Sequence, residues 1–463
     1  MNRRHCMLAL AGSGLPLAGA AQQPGTDIAA LLQQRLQAEG VALAAARVGA
    51  DGLQLASAAR SGQAAPPAQA RFEYGSITKT FVGLLLAEMV LRGELALDEP
   101  VEKALPSDLR LRDSQGAPLT WADLATHRSG LPRLPANLKP AQPTDPYADY
   151  GEGELFAFID GWRASRPRDS QWEYSNLGYG LLGHALGLRA ERPFGQLLHE
   201  RVLRPLGLQA EMQLSTPGQQ IVDLLPGHDA EGRPVPPWRF DALAGAGALV
   251  GTAAGLARYA QAAVGAVDSP LAPAFALALQ PRAEAGGPGQ RIGLAWLIGR
   301  GPAGPSQLLA NHDGGTFGFS SSLWLDLQRR HAALVLANAF VPVNDLAGHL
   351  LEPRLPLRDT AAERRATQAP AAAVTAAQLA PLAGRYALNA QFALDVRARD
   401  GRLYGQASGQ GEFELFARAG SGPRLFFARV TALEIQFDGD LADTTAAPAL
   451  TLRQAGQTLR FVR

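Results

Sequence analysis

The stretch Tyr74-Gly75-Ser76-Ile77-Thr78-Lys79-Thr80-Phe81 opens an apolar run that continues to Leu91 and stops at Arg92-Gly93. Leu84, Leu85, Glu88 and Leu91 recur at helical spacing, and the glycine beyond a basic last turn is an ordinary helix stop. The run is too short and too interrupted to span a bilayer, so it predicts a helix buried in a globular core. On a helix, positions three apart share a face, which places the Ser76 hydroxyl and the Lys79 ammonium one turn apart at the helix mouth. A serine hydroxyl needs a base to take its proton, and a lysine kept from its charged form by burial is one such base. The helix N-terminus adds free backbone N–H groups where an oxyanion would form.

The pair is not a compositional accident. With eighteen serines and three lysines (Lys79, Lys103 and Lys139) in 463 residues, chance predicts only about 0.1 pairs at that spacing. Nearly all remaining basic residues are arginine, which does not release its proton in a protein, so a lysine retained here fits a proton shuttle.

Met1 to about Ala21 has a basic start (Arg3-Arg4), an apolar middle and small residues at its end, the plan of a signal peptide, which predicts a periplasmic or secreted protein. The only cysteine, Cys6, would leave with it, so no disulfide is expected. Net charge is +1 with no basic cluster among aromatics, which argues against a nucleic-acid partner. No two of the eight histidines form a His-x-x-x-His pair, and the glycines follow neither dinucleotide nor P-loop spacing, so neither metal nor cofactor is expected.

Residues 28–40 read as an amphipathic helix and 41–59 as a hairpin turning at Ala50-Asp51-Gly52; strands followed by the Ser76 helix imply a mixed α/β domain. Thr120 caps a short helix ending near His127, and a proline-rich loop to Tyr150 is placed to form the rim of a cleft. Tyr174 and Asn176 stand at the mouth of the next apolar helix, either as site residues or as an ordinary core-edge tyrosine and helix cap. Further on a meander is expected, with His312-Asp313-Gly314-Gly315 read either as a turn or as paired glycines admitting another molecule to a strand edge. Linker character spans 354–374. Short alternating segments from 375 to 463 then predict a small antiparallel β-barrel.

Taken together, Ser76-x-x-Lys79, Tyr174-x-Asn176 and His312-x-Gly314, with Thr126-His127-Arg128-Ser129-Gly130-Leu131-Pro132 between the first two, resemble the penicillin-recognising serine hydrolases. That group contains class C β-lactamases, D-alanyl-D-alanine carboxypeptidases and related esterases. The resemblance implies a β-lactamase/transpeptidase-like domain over 22–353, an antiparallel sheet flanked by helices with a helical subdomain, and a lipocalin-like barrel over 375–463. It implies that Ser76 is acylated, that Lys79 and Tyr174 move its proton, and that Asn176 holds Lys79 and the substrate amide. Gly314 and Gly315 would line the substrate, with the Ser76 and Gly315 N–H groups as the oxyanion hole. In class C β-lactamases the third site is typically Lys-Thr-Gly, where the lysine meets a substrate carboxylate. Here His312 replaces it, as in some secreted carboxypeptidases and D-amino-acid peptidases, so carboxylate binding should improve as pH falls through its pKa. The implied substrate is a β-lactam or a peptidoglycan-derived D-alanyl peptide. Alternatives are a carboxylesterase on small acyl esters, or a penicillin-binding sensor or ligand carrier without turnover.

Overall fold

A computed structural model describes residues 27–36, 41–60, 62–229, 232–287, 289–388, 392–407, 412–420, 423–429, 432–440, 443–454 and 457–463. The proposed leader, Cys6 included, and residues 37–40 lie outside them. The chain divides into two compact units, Met1–Pro356 and Leu357–Arg463.

The first unit is organised by an eight-stranded antiparallel sheet in the order Gly52–Ala59, Ala42–Gly49, His331–Ala337, Ser320–Asp326, Leu308–Gly315, Leu297–Arg300, Arg291–Ile292, Ala283–Glu284. The expected N-terminal hairpin therefore pairs with the far end of the expected meander, Leu43 opposite Ala337 and Val48 opposite Ala332. Successive side chains of a strand point to opposite faces, and both faces here are covered. Leu43 and Ala45, with Val335 and Ala337, pack under helices Ile28–Arg35 and Asn344–Leu351. Ala44, Ala46 and Val48, with Leu334 and Leu336, face the larger core that holds helices Thr78–Leu91 and Ala253–Ala263.

Helix Thr78–Leu91 is buried from Thr78 to Ala87, as its apolar run predicts for a helix inside a core. Leu91, read as a core position, is 53% exposed at the helix end, while Glu88 reaches Arg201 at 3.2 Å. A second difference concerns Asp313-Gly314-Gly315, which continue strand Leu308–Gly315 instead of turning; the turn is 316–319, closed by Thr316 N–H to the Phe319 carbonyl at 3.0 Å. Neither glycine adopts a positive φ, so nothing in their backbone calls for a turn.

In the second unit eight strands form a closed antiparallel barrel, each pairing with the next and Ala387 meeting Val462 to close it. Inward positions alternate along the strands, among them Leu394 and Val396, Leu433, Ile435 and Phe437, and they pack with Tyr386, Phe426 and Phe461 into one core. Arg424 is buried there, its guanidinium donating to the carbonyls of Asp438, Asp440, Asp443 and Thr445. The stretch read as linker contains helix Thr360–Thr367, and Ala371 bridges to Arg418.

Candidate active site

Ser76 sits on a 3-10 turn, Gly75–Ile77, that leads directly into helix Thr78–Leu91. Gly75 has φ +52, and a Cβ there would stand 2.7 Å from the Gly315 nitrogen, so both conformation and space require glycine. Ser321 Oγ donates to the Tyr74 carbonyl at 2.7 Å, tying the same turn to the neighbouring strand.

Lys79 is fully buried beneath Ser76. Its Nζ lies 2.9 Å from Ser76 Oγ, 3.0 Å from Asn176 Oδ1 and 2.6 Å from the Ala246 carbonyl oxygen. Burial, with Arg133 adding to it, holds the ammonium well below the usual lysine range. Both Asn176 Oδ1 and the Ala246 carbonyl can only accept hydrogen bonds, so a neutral amine gives them its two hydrogens and turns its lone pair to the Ser76 hydroxyl.

Tyr174 precedes helix Asn176–Arg189, its ring 5.0 Å from Lys79 Nζ and its hydroxyl within hydrogen-bonding reach of Ser76. Burial pushes its pKa above the ordinary tyrosine value, so it stays a proton donor at neutral pH. The helix cap is Ser175, which accepts from Gly178 N–H at 2.8 Å, leaving Asn176 free for Lys79 on one side and Tyr147 (3.2 Å) on the other.

All three sequence motifs meet at one cavity of about 810 Å³, lined by Ser76, Tyr174, Asn176, His312, Gly314 and Gly315, with Lys79 below its floor. Aromatic rings form much of the wall: Tyr147, Trp172, Trp238, Phe240, Phe317 and Phe340. The proline-rich loop contributes Arg133, Leu134, Leu138 and Pro146 to the rim. Gly314 lines the cavity and also lets another part of the chain come close. A Cβ on it would overlap the Tyr74 carbonyl oxygen and Ser321 Oγ, so the close approach it permits is that of the chain's own Ser76 turn.

The sequence reading missed three contributors. Ala246 offers only a backbone carbonyl, which no side-chain motif signals. His127, in the landmark between the first two motifs, accepts from Ser175 N–H at Nδ1 (3.1 Å) and from Glu173 N–H at its own carbonyl (2.8 Å), and its ring lies 4.4 Å from that of Tyr174. It grips the chain on both sides of Tyr174. Arg133 is the third.

A profile of the beta-lactamase family matches residues 28–352. The chain belongs to the beta-lactamase family. Similar curated proteins include the D-alanyl-D-alanine-carboxypeptidase/endopeptidase AmpH of Escherichia coli (strain K12), 29% identical over 31% of this chain and 37% of that protein. A beta-lactamase of Pseudomonas fluorescens is 29% identical over 35% of this chain and 42% of that one. The matched segments thus span less than half the length of these two relatives. Among solved structures, a class C beta-lactamase superposes with TM-score 0.58 at 20% identity, covering 69% of this chain and 92% of that one. A class C beta-lactamase from Rhodobacter sphaeroides gives 0.56 at 22%, covering 68% and 93%. The fold of the first unit is that of these enzymes.

This beta-lactamase-family site departs from the expected electrostatics at His312. Burial, with Lys79 nearby, lowers its pKa to about 3, so it is neutral between pH 5 and 8 and the expected gain in carboxylate binding on acidification does not follow. Its Nδ1 donates to the Asp313 carbonyl at 2.7 Å, which leaves Nε2 a lone-pair acceptor. Such an atom does not attract a carboxylate.

Just before the Ser76 turn, buried Glu73 accepts from Trp238 N–H at 2.8 Å and also hydrogen-bonds Thr316. Burial raises its pKa from 4.5 to about 8. The folded state therefore holds this proton more tightly than the unfolded chain, so its stabilisation is full below the ordinary carboxyl pKa and is lost as pH rises through about 8. Urea midpoints should fall between pH 5 and 8 in the wild type, and Glu73→Gln should flatten that slope; an unchanged slope would show that Glu73 does not take up the proton.

Proposed function

We propose that this chain is an exported serine hydrolase that works through an acyl-enzyme on Ser76 and cleaves β-lactam or D-alanyl-peptide amide bonds. The observation that carries the reading is the Ser76 Oγ to Lys79 Nζ contact of 2.9 Å, made by a buried lysine whose other two acceptors fix its orientation. Ser76 Oγ attacks the carbonyl carbon as its proton passes to Lys79, the oxyanion lies at the Ser76 and Gly315 N–H groups, and Tyr174 protonates the leaving nitrogen. Asn176 keeps Lys79 in place and meets the substrate amide. Water then attacks the ester carbonyl, giving its proton back through Tyr174 and Lys79, and Ser76 is released. The names of the relatives, a D-alanyl-D-alanine-carboxypeptidase/endopeptidase and beta-lactamases, support this substrate class. Residues 1–21 supply the export signal, and no helix among the described residues is long and apolar enough to cross a membrane.

A carboxylesterase on small acyl esters is the second reading, favoured by the neutral His312 and the aromatic cavity wall. Mass spectrometry with a penicillin, a D-alanyl-D-alanine peptide and a neutral ester separates the two by which compounds leave an adduct and a product. Ser76→Ala should abolish adduct and turnover with every one of them while circular dichroism stays native. Turnover by folded Ser76→Ala protein would remove Ser76 as the nucleophile.

A further inference from the structure

We infer that Arg133 is the residue that reads a carboxylate carried on the leaving group of the substrate. The inference rests on the Ser76 acyl-transfer reading and asks which group supplies the positive charge that His312 does not. Leaving-group protonation is assigned to Tyr174, so a carboxylate one carbon beyond the scissile bond lies on the Tyr174 side of the cavity. Three groups beside that ring bear on it. Lys79 is fully buried and committed to Ser76, Asn176 and Ala246. His312 lines the cavity but is buried, its Nδ1 donates to the Asp313 carbonyl, and its neighbour Asp313 is acidic. Arg133 is exposed at the rim, lines the cavity with Ser76 and Tyr174, and holds its guanidinium carbon 5.4 Å from the Tyr174 ring centre.

Arg133 differs from the arginines around it. Arg128, Arg166 and Arg239 are each paired, with Asp169, Glu173 and Asp145. Among the described residues Arg133 has no acidic partner. Its backbone is fixed nonetheless, because its carbonyl accepts from Asn176 N–H at 3.0 Å and Leu177 N–H at 3.2 Å at the start of helix Asn176–Arg189. A planar guanidinium of permanent charge, rooted on a rigid segment and left unpaired beside the leaving group, is suited to bidentate recognition of a carboxylate.

The test uses a matched pair of esters, so it needs only acyl transfer: benzoylglycyl-lactate, whose leaving group bears a free carboxylate, and the methyl ester of that carboxylate. Each consumes one water and releases benzoylglycine, which is quantified by chromatography in wild type, Arg133→Gln and Arg133→Lys. The quantity read is the ratio of kcat/KM for acid over methyl ester; any effect of Arg133 on Lys79 or Tyr174 protonation acts on both compounds and cancels in it. The wild type should favour the acid, Arg133→Gln should lower the ratio about tenfold or more, as expected for a lost charge-assisted hydrogen bond, and Arg133→Lys should keep part of it. Raising the salt concentration should lower the ratio in the wild type alone. A ratio near one in the wild type, or one that Arg133→Gln leaves unchanged, overturns the inference while acylated Ser76, seen by mass in the same samples, keeps the nucleophile reading intact. Absence of both hydrolysis and acyl-enzyme with either compound overturns that reading and the inference together.

Discussion

Lys79→Arg should lower kcat/KM by roughly 10²- to 10⁴-fold, close to the loss in Lys79→Ala, although it keeps a positive charge at the position. The expectation follows from where the amine sits. It is enclosed by Ser76 Oγ, Asn176 Oδ1 and the Ala246 carbonyl, and its burial disfavours the ammonium. Arginine does not give up a proton under any working condition, so it replaces a base with a fixed cation and also brings a larger head into a fully buried space. Single-turnover acylation, followed by mass spectrometry, separates this from a defect in product release. In the wild type the acylation rate should rise with pH through the depressed Lys79 pKa, because the neutral amine is the active form, and that limb should be missing from Lys79→Arg. An arginine variant with near-native acylation would make Lys79 an electrostatic anchor and leave Tyr174 as the base.

Gly314→Ala should be the most damaging single-methyl change in the site. The added Cβ overlaps the Tyr74 carbonyl oxygen and Ser321 Oγ and stands 3.1 Å from the Ser76 nitrogen, so strand Leu308–Gly315 has to move away from the nucleophile turn. The hydrogen bond between Ser321 and Tyr74 and the proposed oxyanion hole depend on that contact. Overpacking of this kind costs about 1–3 kcal/mol in stability, and displacing reacting groups by about 1 Å can cost on the order of 10² in rate, so both the urea midpoint and kcat should fall. Gly315→Ala is the control. Its Cβ would meet the Phe340 ring at 3.4 Å and the Phe319 carbonyl oxygen at 3.8 Å, ordinary contacts that the fold should tolerate. Equal tolerance of alanine at 314 and 315 would show that the strand does not lean on the turn.

The sequence by itself named seven candidate site residues, and the structure gathers them around one cavity, because their motifs were announced by local chemistry. Ser76 and Lys79 are one helical turn apart, Tyr174 and Asn176 flank a helix start, and His312 and Gly314 lie in one strand. Eight short alternating segments likewise announced the barrel strands, since period-two burial is written in consecutive residues. Tertiary structure decided everything that depends on who stands opposite. The pairing of Ala42–Gly49 with His331–Ala337 joins residues nearly three hundred positions apart, and no local pattern contains it. The burial of the Ser76 helix was legible in its apolar run, but the partners that surround it were not. Gly314 read as a turn because glycine pairs usually mark one, yet its lack of a side chain is used by a carbonyl from Tyr74. His312 read as a titrating histidine because its ordinary pKa lies near neutrality, whereas burial sets its charge, and burial is a property of the fold. Arg133 was one arginine among many; only its position beside Tyr174, without an acidic partner among the described residues, sets it apart.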